Sequence, residues 1–326
     1  MHLEGLTVEG FKSFSEPTSM GFEPGIGVII GNNGVGKSNI LDAIVWAMGE
    51  DDLGKLRCQR EEDLFFLGSR SYPPAARLKV ELRFKEGDQK ISPVTVLARE
   101  RSRGGAEHYW IKGQKVGRSE YEKELIGLGM GNGLKTIIRQ EQINDMISLE
   151  PSERFSWIRD LLGFYGLEDT IRCLRNEVTA RFQDYLSLLF PEAEAGILVY
   201  EQDGKPALEI QLALKKEFIR KAHQLSGGQK AVTSLALKLA LFEQLGTPLY
   251  LLDEVEPSLD YTNHKSMQAL LKMLAKNRQL IMITHLRSTI ELANTVHGVR
   301  TRIDGTSFMK FYFVMDERLL RLYKCC

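Results

Sequence analysis

Residues 28–44 read VIIGNNGVGKSNILDAI, an apolar run that enters a glycine-rich turn and leaves it through a lysine and a serine. The turn fits G-x-x-x-x-G-K-[ST] at Gly31, Gly36, Lys37 and Ser38. The β-branched run at 26–30 predicts a buried parallel strand, and Ile40, Ala43, Ile44 and Ala47 give helical spacing beyond it. In such a loop the glycines let successive N–H groups, across Asn32, Asn33, Gly34 and Val35 up to Asn39, turn inward on phosphates, and the helix N-terminus adds positive potential. Lys37 is then placed for the β- and γ-phosphates and Ser38 for Mg²⁺. Taken alone, the motif leaves open a plain glycine turn with an exposed lysine.

Around this stretch the composition is ordinary. With 326 residues, 43% hydrophobic and 26% charged, the chain has room for one large α/β unit or two domains. Its 43 basic residues balance 43 acidic ones, so net charge argues for neither nucleic acid nor membrane. No apolar run reaches about 18 residues and the first residues do not resemble a signal peptide, which predicts a cytosolic or nuclear protein without membrane contact. Cys58, Cys173, Cys325 and Cys326 form no C-x-x-C pair and read as reduced thiols.

The far half of the chain completes a nucleotide site. TPLYLLDE, 247–254, is an apolar strand ending in two carboxylates: Asp253 suits a metal, and Glu254 suits an attacking water. Upstream, LSGGQKAVTSLALKLALFEQL, 225–245, offers Ser226 as N-cap and a helix with Ala231, Leu235, Lys238, Leu239 and Phe242 on one face. It is a second helix N-terminus suited to phosphate. One nucleotide needs one cradle, so the second suggests that two chains share their nucleotides.

LSGGQ at 225–229 resembles the signature of the ATP-binding cassette superfamily, in which Ser226, Gly227, Gly228 and Gln229 would reach the γ-phosphate held by a partner. SLD at 258–260 resembles the D-loop, with Asp260, and MITH at 282–285 resembles the strand that ends in the switch histidine, His285. The N-terminal run, including GFKSF at 10–14, is similar to the opening of the structural maintenance of chromosomes family, which splits its cassette around a long coiled coil and a hinge. KLRCQREEDLFFLGS, 55–69, resembles that family's arginine loop and IIRQEQINDMI, 137–147, its Q-loop. The resemblance implies ATP contacts for Lys12, Ser13 and Arg57, and a place for Gln140 beside Mg²⁺ and the attacking water. The chain departs from the family in LDEVEPSLD, where LDEVDAALD is usual, and in lacking arm and hinge.

The implied fold is an α/β, ABC-type P-loop ATPase head of two lobes, over 1–167 and 181–326, with a short helical coiled-coil stump at 168–180. Pro151 and Ser152 predict a helix start and Gly163–Gly166 a reversal. After them Leu167, Ile171, Leu174, Val178, Phe182, Tyr185 and Leu189 form a stripe that suits either a coiled coil or an amphipathic helix on the core. Residues 99–118 carry a local excess of +4 around Gly104–Gly105, which predicts a hairpin. Arg101, Arg103, Lys115 and Lys12 are candidate DNA contacts; a solvated hairpin with inward aromatics explains the same residues.

The implied function is an ATPase that binds Mg–ATP, pairs with a second head across two nucleotides, and uses hydrolysis to organise DNA. Catalysis would rest on Glu254, Gln140 and His285, metal binding on Ser38, Gln140 and Asp253. Partners would be a second head, self-pairing or a different chain, together with DNA and accessory proteins, on the nucleoid or in a nucleus. Rivals are a break-repair or recombination ATPase, a transporter's nucleotide-binding subunit, and a module that senses ATP without turnover.

Overall fold

The apolar run at 26–30 is strand Ile26–Ile30, and it lies parallel to Gln279–Ile283 on one side and Thr295–Thr301 on the other. The computed structural model describes residues 1–87, 92–213, 219–221, 224–256 and 261–314. Asp260, Cys325 and Cys326 lie outside the described residues. Two compact units are present: Met1–Ile137 with Thr247–Asp253 and Leu274–Cys326, and Ile138–Gly246 with Glu254–Met273. The expected lobes followed the order of motifs along the chain. The first unit instead draws on both ends of the chain, because its central parallel sheet needs strands from each.

In the first unit that sheet runs Ser307–Val314, Thr295–Thr301, Ile26–Ile30, Gln279–Ile283, Leu249–Asp253. The last three are parallel and apolar, with every residue from Leu249 to Asp253 and from Gln279 to Ile283 buried. Continuous β-branched and aliphatic runs are what a strand covered on both faces requires. Consequently Gly31, Asp253 and Thr284 all stand at carboxyl ends of neighbouring strands, where open α/β sheets bind ligands.

A second, antiparallel sheet of this unit runs Thr18–Gly21, His2–Glu9, Arg77–Lys85, Val94–Ser102, Glu107–Ile111, Gln114–Val116. Its core-facing residues alternate, as Leu78, Val80, Leu82 and Phe84 do. Helix Lys37–Ala47 packs on strands of both sheets. Ile40, Leu41, Ile44, Val45 and Trp46 are fully buried there, each worth about 2 kcal/mol of hydrophobic stabilisation.

The second unit holds the three-stranded antiparallel sheet Glu194–Gln202, Lys205–Ala213, Ile219–Lys221, its first turn closed by Asp203 and Gly204 at positive φ. Helix Pro151–Leu162 ends on Gly163 in the left-handed region, as the sequence predicts. From Leu167 the chain is helical to Leu189, with a π-turn at Leu174–Val178. The apolar stripe is divided: Leu174, Val178, Phe182, Tyr185 and Leu189 are buried, while Leu167 is exposed. The later part of this helix packs on helix Gly227–Gln244 and on strand Glu194–Gln202. Of the two readings of the stripe, packing on the core describes most of it.

Candidate functional site

Three non-glycine residues marked out by their motifs have left-handed backbone: Lys12 at φ 47°, Arg57 at 55° and Glu254 at 48°. Side chains rarely tolerate this region outside tight turns, and such strain concentrates where function fixes the backbone. The other two among the described residues, Lys112 and Asp203, lie in hairpin turns.

The phosphate loop is shaped by close contacts. Gly36, at φ 94°, caps helix Lys37–Ala47, and a Cβ there would lie 2.4 Å from Ser307 Oγ and 2.6 Å from Ser13 Oγ. A Cβ on Gly31 would lie 2.5 Å from the Val299 carbonyl. Ser13 of the GFKSF segment accepts Asn39 Nδ2 at 2.8 Å and meets Ser307 Oγ at 2.7 Å; Ser307 in turn donates to the Val35 carbonyl at 2.7 Å. Lys37 is nearly buried, and its ammonium donates to the carbonyls of Gly31 at 3.0 Å and Asn32 at 3.1 Å. Asn32, Asn33 and Gly34, at the tip of the loop, are exposed, which leaves room above the N–H groups.

Ser38 Oγ donates to Asp253 Oδ1 at 3.3 Å. These two oxygens belong to the hard donors that Mg²⁺ takes, so the pair fits the metal the motif implies. Arg57 Nη1 lies 3.4 Å from Asp253 Oδ2, and its Nη2 donates to Asp42 at 2.8 Å. Lys12 Nζ also donates to Asp42, at 2.6 Å, and to the Leu56 carbonyl. The structure therefore joins Lys12 and Arg57 on a helix-borne carboxylate that sequence reasoning missed, and Arg57 links it on to Asp253 and Ser38, the neighbour of Lys37. Asp42 is fully buried on a helix of apolar residues, and a carboxylate inside an apolar stripe was the available signal.

His285 is exposed just past strand Gln279–Ile283. It lines a cleft of about 310 Å³ together with Gly31, Asn32, Thr284, Val299 and Arg300. Gln140 and Glu254 belong to the second unit: Gln140 opens the short 3₁₀ turn Gln140–Gln142 and is exposed, and Glu254 is half-buried. Ser226 caps helix Gly227–Gln244 by accepting Gln229 N at 3.4 Å, while Gln229 Oε1 accepts Ser226 N at 3.1 Å. That reciprocal pair is a capping box. Ser226 and Gly227 are exposed, so the phosphate-suited end of the helix faces solvent.

The basic hairpin forms as expected, but Arg99 points inward. It is 1% exposed, lies 4.4 Å from the centre of the Trp46 ring, and pairs with Asp51 and Glu107. Arg101 pairs with Glu61 at 2.6 Å, and Arg103 donates to the Ala75 carbonyl at 3.2 Å. Lys115 is exposed. Tyr109 is buried against Tyr121, and its neighbour Trp110 is half-buried. Lys12 is held inside by Asp42.

A sequence model of the RecF/RecN/SMC N terminal domain matches residues 2–307. The chain belongs to that family. It is 35% identical over 167 residues to the chromosome partition protein Smc of Mycolicibacterium paratuberculosis, covering 50% of this chain and 14% of the relative. Against the Smc of Clostridium kluyveri it is 27% identical over 321 residues, 97% of this chain and 24% of the relative. The chain thus spans only a small part of these relatives' length. Among solved structures, an Smc head bound to the C-winged helix domain of ScpA superposes with a TM-score of 0.84 at 28% identity, covering 98% of this chain and all of that one. The SMC head domain from Thermotoga maritima gives 0.69 at 32% identity, covering 97% and 100%. The α/β fold is that of an SMC head. No helix among the described residues is long and apolar enough to cross a membrane.

Proposed function

We propose that this SMC head is an ATPase that dimerises on ATP and serves chromosome partition. The observation that carries the reading is the meeting of Lys37, Ser38, Arg57 and Asp253 at the carboxyl ends of parallel strands. Lys37 and the loop N–H groups hold the β- and γ-phosphates, and Arg57 adds positive charge beside them. Ser38 and Asp253 would hold Mg²⁺, joined by Gln140 as the Q-loop resemblance implies, and the metal would supply neutralisation of phosphate charge.

Glu254 orients water and accepts its proton as the water oxygen attacks the γ-phosphorus and the bond to the β-phosphate bridging oxygen breaks. His285 donates to a γ-phosphate oxygen and stabilises the charge that develops. Ser226, Gly227, Gly228 and Gln229 of a second head, with Asp260 near the interface, close over the γ-phosphate. ADP no longer bridges the heads, so they part, and binding energy becomes movement.

Since a similar head binds the C-winged helix domain of ScpA, an accessory subunit is the expected protein partner. DNA, bound through phosphates by Arg101, Arg103 and Lys115 of the hairpin, is the expected cargo, and the chromosome is the expected location. The test is phosphate release at high protein concentration: turnover in the wild type, with Lys37→Ala and Glu254→Gln at background, supports the reading. Equal release by all three contradicts it.

A further inference from the structure

Helix Gly227–Gln244 is buried on every face from Ala231 to Phe242, yet it carries a lysine at position 238. Burying an ammonium among aliphatic side chains is unfavourable unless it finds acceptors. Lys238 is 5% exposed, and its Nζ donates to the main-chain carbonyl of Gln142. Burial pushes its pKa down to about 8, and Asp145 opposes that shift. Gln142 closes the turn Gln140–Gln142, so its carbonyl is two residues from the side chain assigned to the metal and the water.

The same segment is pinned further along. Arg154, buried in helix Pro151–Leu162, donates to the carbonyls of Met146 at 3.0 Å, Ile147 at 3.0 Å and Leu149 at 2.7 Å. Those contacts fix the end of helix Asp145–Ser148. Between Gln140 and that helix, Lys238 is a side-chain tether to the signature helix.

We propose that Lys238 is a positioning residue that ties the helix carrying the signature motif to the Q-loop, so that contact of Ser226 with a partner's nucleotide is felt at the same chain's Gln140. This rests on the ATPase reading of the two motifs. Helix Gly227–Gln244 is the rigid element: its N-terminus faces solvent at Ser226, and Lys238 sits three turns along it. A displacement at the signature end therefore moves the ammonium, and with it the Gln142 carbonyl. A leucine or methionine at 238 would fill the space and leave the carbonyl without this donor, loosening the turn.

The experiment compares Lys238→Met and Lys238→Arg with the wild type in the whole chain; Lys238→Gln, an uncharged donor, replaces the methionine variant if that one does not fold. Amide hydrogen exchange over 137–149, read without nucleotide, is expected to quicken about tenfold in Lys238→Met, the worth of a hydrogen bond to a charged group. Exchange over 26–47 stays at wild-type rates, and Lys238→Arg restores protection. Under saturating Mg–ATP, kcat of Lys238→Met is expected to fall by about tenfold with KM within about twofold. Unchanged exchange over 137–149 overturns the tether, and faster exchange with unchanged kcat overturns the positioning role. A wild type without turnover above Glu254→Gln sinks the ATPase reading, while exchange and the Mg²⁺ dependence of fluorescent-ATP affinity still decide whether Lys238 holds the loop.

Discussion

Arg57 spans two carboxylates: Nη1 lies 3.4 Å from Oδ2 of Asp253 and Nη2 donates at 2.8 Å to buried Asp42. Arg57, Asp42 of the helix that follows the glycine turn, and Asp253 at the end of its strand are thereby one charge network. Removing the guanidinium leaves Asp253 without this cation and takes away one of the cations proposed to stand beside the phosphates. Arg57→Ala is expected to weaken ATP binding by about tenfold, as loss of a charge-assisted hydrogen bond should. Because the side chain is about a third exposed, the melting temperature should move little. Titration with a fluorescent ATP analogue, alongside thermal unfolding, checks both.

Asp42 is expected to matter for stability. Its carboxylate is fully buried beneath Lys12 and Arg57, and Lys12 is itself 9% exposed. Asp42→Ala leaves that ammonium in the interior without its carboxylate, a loss of about 3 kcal/mol. Urea unfolding should show the fall, and Lys12→Met with Asp42→Ala together should recover part of it. A double variant no better than the single one would argue against the pair.

Gly36→Ala should abolish nucleotide binding while leaving the antiparallel sheet intact. At φ 94° an alanine is strained, and its Cβ would collide with Ser13 and Ser307. Gly34, equally left-handed, has open space where a Cβ would go, so Gly34→Ala should cost only the backbone term, on the order of 1 kcal/mol. Comparing the two by calorimetric ATP titration separates collision from backbone strain.

His297 predicts an acid response. The ring is fully buried between Phe22, at 4.7 Å, and Tyr312, at 5.0 Å, and burial pushes its pKa down to about 4. The folded state thus binds fewer protons than the unfolded chain between about pH 6.5 and 4. Its contribution to stability is present above pH 6.5 and lost as pH falls to 4, about 3 kcal/mol in all. Denaturant midpoints at pH 7 and pH 4 should drop further for the wild type than for His297→Phe, in which other acid-sensitive groups are unchanged. Parallel drops would remove His297 as the cause.

The local elements of the site were legible because each motif carries its own geometry. A β-branched run before glycines gives a strand and a cradle, and a serine three residues before a glutamine gives the capping box at Ser226. What the sequence could not show depends on partners distant in the chain. Asp42 becomes meaningful only when Lys12 and Arg57 fold over it, and Ser307 only when its strand returns to Val35 and Ser13. The hairpin shows the converse: Arg99 counts as one basic residue among six in the sequence, yet strand alternation turns it inward onto Trp46. Similarly, spacing leaves the stripe from Leu167 to Leu189 between two readings, and only the helix packed on it decides most of the length.

Dimerisation across nucleotide is the step on which the proposed cycle depends. The measurement is the solution mass of Glu254→Gln with and without Mg–ATP, beside the double variant Glu254→Gln, Ser226→Arg. ATP is expected to double the mass of the first protein and leave the second monomeric, because Ser226 is proposed to act on the partner's nucleotide. A Glu254→Gln protein that binds ATP and stays monomeric, or a double variant that dimerises equally well, would contradict it.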